Sequence, residues 1–154
     1  METNDTDRIT KNVLLRAPRA RVWRALTDAE EFGRWFGVKL EGTFSPAARV
    51  RGKITHPGYE HLTFELSVER VEPERRFAWR WHPHAIDPSI DYSGEPTTLV
   101  EFTLEETAGG TRLTVVESGF DGVPLFRREQ AYRGNTEGWE SQMEAIARHV
   151  REAA

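Results

Sequence analysis

The sequence predicts an α+β fold: an antiparallel sheet of about six to seven strands wrapped around one long C-terminal helix, with two short helices after the first strand. Three observations carry this expectation. Apolar residues recur at every second position through most of residues 38–118, interrupted by Pro and Gly turns. From Ala131 to Val150 the period changes to three and four. A length of 154 residues with 38% hydrophobic side chains matches one domain with one core. The expected organisation is a frayed stretch over 1–7 and a single domain over 8–151.

The elements follow in order. Arg8 to Arg16 alternates as a strand, and its run Val13-Leu14-Leu15 suggests a well-buried one. Pro18 suits the first turn of a helix running to Leu26, with Val22, Trp23 and Leu26 on one side and Arg19, Arg21 and Arg24 on the other. Thr27-Asp28 caps a second helix from Ala29 to Trp35, which has acids in its first turn and is stopped by Gly37. Strands are then expected over Val38–Ser45, Arg49–His56, Leu62–Val71, around Phe77–Trp81, around Val100–Leu104 and over Thr111–Ser118. Pro46, Pro57-Gly58, Pro73-Glu74 and Ala108-Gly109-Gly110 supply turns, while Pro83, Pro88, Gly94 and Pro96 punctuate a longer loop. In the last helix Ala131, Asn135, Gly138, Trp139, Gln142, Met143, Ile146 and Val150 define one stripe. A meander with one buried face needs helices to cover it, and a twisted sheet curled round a single helix leaves room between them.

Composition excludes several classes of function. Lys+Arg 21 against Asp+Glu 25 gives a net charge of -4, which argues against general nucleic-acid binding. No cysteine is present, which removes disulfides, thiolate catalysis and Cys-based zinc sites. Apolar runs are far shorter than the ~20 residues a membrane-spanning helix needs, and the start of the chain is polar and acidic rather than signal-like. A cytoplasmic protein that does not insert into membranes is expected. His82-Pro83-His84 with Asp87 and Asp91 lacks a third ligand at diagnostic spacing, so no metal and no cofactor are expected. No nucleophile elbow or phosphate loop is present.

Three stretches resemble the START-like, or SRPBCC, superfamily, whose fold is the helix-grip: Ala17 to Asp28 followed by Phe32 and Trp35-Phe36; Gly110 to Val115 leading to Glu117-Ser118-Gly119-Phe120; and Asn135, Gly138-Trp139 and Gln142-Met143 running to Val150. Within it the chain is similar to the branch named after the C-terminal domain of the heat-shock-protein-90 ATPase activator. The resemblance spans roughly Arg8 to Val150. It implies a central cavity that binds hydrophobic or amphipathic small molecules, in which some members catalyse cyclisation or dehydration. The eukaryotic activator carries a separate N-terminal chaperone-binding domain for which this chain leaves no segment, so a chaperone co-factor is the disfavoured reading.

Strand phase nominates the residues. With the apolar phase turned inward, Phe64, Trp79, Trp81 and Phe102 face the helix, and continuing the last strand places Glu117 inward too. A buried carboxylate must be paired, hydrogen-bonded or protonated. Glu117 is therefore the candidate catalytic or ligand-orienting residue, or else sits at the rim in a salt bridge. Trp79 and Trp81 either fill the core or form a flat wall for a ring-bearing ligand, with Trp139 facing them from the helix. Trp35 and Phe36 are placed at the mouth, and Tyr92 in the long loop has a hydroxyl to offer. The candidate ligand-binding set is thus Trp35, Phe36, Phe64, Trp79, Trp81, Tyr92, Phe102, Glu117 and Trp139, and the expected partner is a small hydrophobic or aromatic molecule. The alternative is an enzyme of cyclase, dehydratase or hydrolase type using Glu117 as acid/base.

Overall fold

The computed structural model describes residues 7–87 and 89–152. Its elements are β1 (Arg8–Leu15), α1 (Arg19–Thr27), α2 (Ala29–Phe36), β2 (Val38–Glu41), β3 (Arg49–Ile54), β4 (Thr63–Glu72), β5 (Arg76–Trp81), β6 (Thr98–Thr107), β7 (Gly110–Ser118) and α3 (Leu125–Glu152). One turn of 3-10 helix over Phe120–Gly122 leads into α3. The seven strands form one antiparallel sheet in the order β1-β7-β6-β5-β4-β3-β2. This is the α+β helix-grip arrangement, with α3 laid against β1, α1 and α2.

Local chemistry sets the ends of the elements. Asp28 caps α2 by accepting from the backbone N–H groups of Glu30 and Glu31, so two of the orphan donors of the first turn are satisfied. Gly37 closes α2 at φ 91°, a left-handed conformation that side chains disfavour. In β3, a Cβ at Gly52 would lie 2.0 Å from the Lys39 carbonyl oxygen, so only glycine lets β2 pair at that register.

Alternation decides what is buried. Val50, Phe64, Leu66, Phe77, Trp79, Val100, Phe102, Leu104, Leu113 and Val115 are buried from the sheet; Phe32, Trp35, Ile146 and Trp139 meet them from the helices. At about 25 cal/mol per Å² of apolar surface, this aromatic layer is the main stabilising term.

Three expectations need correction. β1 is an edge strand of the sheet and is covered on one face only, so Leu15 is buried while its neighbour Leu14, turned to the other face, is 41% exposed. β2 ends at Glu41 rather than Ser45, and Phe44 is buried from the loop that follows. β4 carries a bulge at Glu69, between Val68 and Arg70, which adds twist where simple alternation was expected. The expected frayed stretch 1–7 lies outside the described residues except for Asp7, which is tied down: its carbonyl accepts from Gly119 N–H and its carboxylate from Asp121 N–H.

No helix among the described residues is long and apolar enough to cross a membrane.

Candidate functional site

Glu117 lies one residue before the end of β7, opposite Val100 of β6. Trp81 ends β5 opposite Thr98, the first residue of β6. Period-two alternation turns all three polar side chains to the inner face at one end of the sheet. Asn135 and Trp139 are four apart on α3 and so share the face that looks back at them.

The five groups form one network. Glu117 is fully buried and lies in no ion pair with a described Lys or Arg. Its Oε2 accepts from Trp81 Nε1 at 2.7 Å and from Thr98 Oγ1 at 2.5 Å. Its Oε1 accepts from Trp139 Nε1 at 2.8 Å and from Asn135 Nδ2 at 2.9 Å. Four donors on two oxygens offset the desolvation of a buried carboxylate, since a hydrogen bond to a charged acceptor contributes about 1.5–3 kcal/mol. The bonds join β5, β6, β7 and α3 through one residue.

Two cavities adjoin this network and share Phe36, Trp81 and Asn135. The smaller, about 140 Å³, is completed by Gly138, Trp139 and Gln142 on α3. The larger is a cleft of about 650 Å³ between the β3–β4 edge, the end of β5 and the loop 82–97. Ile54, Leu62 and Phe64 supply its apolar wall, while His61, Glu65, Arg51, Asp87, Asp91 and Tyr92 lie around its polar part.

The loop that closes the cleft is pinned to α3. Arg127, 7% exposed, donates to Glu95 Oε1 through Nε and Nη2 and to the Pro83 carbonyl through Nη1. Its guanidinium also stacks on the Tyr92 ring, 4.7 Å from the centroid. His84 rests against Gly134, where a Cβ would sit 2.7 Å from the imidazole. Burial, and then the nearby Arg127 charge, lowers the pKa of His84 and so favours the neutral ring.

The predicted site residues divide into two groups. Phe36, Phe64, Trp81, Tyr92 and Trp139 line one or both cavities. Trp35, Trp79, Phe102 and Glu117 stand behind the walls. Trp35 donates its indole N–H to the Ala25 carbonyl. Trp79 packs edge-on to Trp81 at 4.7 Å and also meets Phe32, Phe64, Phe102 and Trp139, its Nε1 buried without a partner among the described residues. The Tyr92 hydroxyl accepts from Asp87 N–H. His82 Nε2 is 2.9 Å from the Glu95 carbonyl oxygen, and among the described residues no three His, Asp or Glu gather as a metal site.

Sequence reasoning missed Thr98, Asn135 and Gln142 as site residues. A signal was present for the last two: both are polar residues on the buried stripe of a helix, flanking Gly138-Trp139. Thr98 continues the inward phase of Val100, Phe102 and Leu104 by one more step, so alternation offered a signal for it as well, at a strand start the sequence reading placed two residues later. The exposed apolar side chains Leu125 and Phe126, 79% and 76% exposed, open α3 and line neither cavity.

Known structures share this architecture. MLL2253 from Mesorhizobium loti is 24% identical, with 96% of this chain and 98% of that one covered at a TM-score of 0.76. NE0264 from Nitrosomonas europaea is 17% identical over the full length of both, also at 0.76. DynU16, a protein of the dynemicin biosynthetic locus, is 28% identical over 94% of this chain at 0.72, and the match spans 47% of its own length. No curated protein matches the chain. A family model covers residues 16–151, from the end of β1 through α3, and so takes in the Glu117 network and both cavities: the chain belongs to the Activator of Hsp90 ATPase homolog 1-like protein family.

Proposed function

We propose that this protein binds a small hydrophobic, ring-bearing molecule in the paired cavities that meet at Phe36, Trp81 and Asn135. The observation that carries the reading is the shared wall. Phe36, Trp81 and Asn135 border both spaces, so one ligand can lie against aromatic rings in the inner cavity and extend into the larger cleft. The cleft volume falls in the range of small-molecule sites, roughly 300–1,000 Å³, and its mixture of apolar wall and few polar groups is of the same kind. The helix-grip fold commonly binds hydrophobic ligands.

Binding is favoured over acid–base chemistry by the state of Glu117. Each carboxylate oxygen already accepts two hydrogen bonds, and the residue lines neither cavity. A general base must reach the proton it takes, directly or through one water. Glu117 instead holds Trp81, Asn135 and Trp139 in position.

Gly138 supplies the test. It is exposed, borders the small cavity, and has nothing within 4 Å of the position a Cβ would take. Gly138→Leu should fill that space and, by removing a helix glycine, favour α3 by up to about 1 kcal/mol. The wild-type protein is expected to melt higher with flat apolar ring compounds, by the equivalent of about 2.7 kcal/mol at a hundredfold excess over Kd. Gly138→Leu should fold and lose the response. An unresponsive wild type across a broad panel, or an undiminished response in the variant, overturns the reading.

A further inference from the structure

Two side-chain amides face the small cavity, and both are oriented from behind. Asn135 must turn its NH2 toward the Glu117 carboxylate, which only accepts, and donates to Oε1 at 2.9 Å. Gln142 must likewise turn its NH2 toward the Phe36 carbonyl, to which it donates at 3.0 Å. Each amide therefore keeps its carbonyl oxygen for the other side. Neither oxygen receives a hydrogen bond from a described residue, and neither is sealed in the core. Asn135 and Gln142 are seven residues apart on α3, about two turns, and Gly138 lies between them without a side chain. The remaining wall is the rings of Phe36, Trp81 and Trp139.

We infer that the cavity selects flat ring systems carrying hydrogen-bond donors at their edge, phenolic O–H or ring and amine N–H, and rejects anionic ones. This rests on the binding function proposed above and names the chemistry it recognises. The rings supply apolar faces that tolerate any flat system. The two fixed oxygens accept hydrogen bonds, and a ligand without donors leaves them desolvated and unpaired. Charge points the same way. Glu117 stands immediately behind Trp81 and Asn135, and the adjoining cleft carries Glu65, Asp87 and Asp91 against Arg51. A carboxylate or phosphate on the ligand would enter among like charges and bare acceptors. The backing carboxylate is a positioning group, because it fixes which end of Asn135 the ligand meets.

The test uses one ring with three kinds of edge: 2,6-dihydroxynaphthalene, 2,6-dimethoxynaphthalene and naphthalene-2,6-dicarboxylate, titrated calorimetrically into the intact protein. The dihydroxy compound is expected to bind about tenfold or more tighter than the dimethoxy compound, and the dicarboxylate more weakly than either. In Gln142→Leu the preference for the dihydroxy over the dimethoxy compound should shrink, and Gly138→Leu should abolish binding of both. Equal or tighter binding of the dimethoxy or dicarboxylate compound overturns the inference and leaves the ring-binding function standing. Absence of binding by all three compounds overturns both. Should Gln142→Leu fail to fold, the ranking of the three compounds on the wild-type protein decides alone.

Discussion

Replacing Glu117 by Gln keeps the shape of the side chain and removes half of its acceptor capacity. The consequence can be worked through bond by bond. If the new NH2 occupies the Oε2 position, the Thr98 hydroxyl can rotate to accept from it, but the Trp81 indole N–H cannot. If the NH2 takes the Oε1 position, Asn135 can flip to present its oxygen, but the Trp139 N–H cannot adapt. Either way one indole donor, of half-buried Trp81 or buried Trp139, is orphaned, at about 1–3 kcal/mol, and the bonds that survive lose their charge assistance. The net destabilisation is about 2–4 kcal/mol. For a chain of this length about 1 kcal/mol moves Tm by roughly 2–4 °C, so a fall on the order of 5–15 °C follows. Thermal unfolding by circular dichroism reads it directly, with urea unfolding as the check on two-state behaviour. The competing effect is relief of a buried charge, which in some proteins makes neutralisation stabilising. A Glu117→Gln variant as stable as the wild type would falsify the view that these four donors hold the carboxylate in place.

Two further outcomes follow from charged groups outside the Glu117 network. Burial works to raise the pKa of Glu31, but hydrogen bonds from His149, Arg21 and Arg24 outweigh it and lower the pKa from 4.5 to about 2. A carboxylate with a depressed folded-state pKa contributes stability that is complete above about pH 4.5 and is lost as pH falls toward 2. The contribution is at most about 3 kcal/mol, and it ties α2 to α1 and to the C-terminal turns of α3. Acid unfolding of Glu31→Gln should show a flatter dependence on pH between 4.5 and 2, and a variant curve parallel to the wild type counts against this assignment. In the loop 82–97, Arg127→Ala would leave Glu95 without its partner and release the Pro83 carbonyl and the Tyr92 ring. A loss of about 3 kcal/mol is expected, with new protease cleavage confined to this loop; cleavage patterns unchanged from the wild type would show that other contacts hold it.

Local rules settled most of the architecture. Asp28 and Gly37 bracket α2 because a capping carboxylate and a left-handed glycine act within a few residues. The inward phase of β5, β6 and β7 was legible because pleating repeats every two residues, and the same count carried Glu117 to the inner face. What alternation cannot specify is position within the sheet. Val13-Leu14-Leu15 has the composition of a central strand but occupies an edge, because strand order is set by distant pairing with β7 and not by the segment itself.

The sequence by itself therefore determined the kinds of element, their order and which side of each strand turns inward. These follow from periodicity and from chemistry confined to a turn. Only the tertiary structure decided which aromatic rings fill space and which border it. Trp79 and Trp81 share one strand face, yet Trp79 is enclosed by rings on every side while Trp81 borders both cavities. The difference is a matter of how separate segments pack around the two rings. The same holds for Glu117: its inward direction was written in β7, but its four donors come from β5, β6 and α3, and no single stretch of chain contains them.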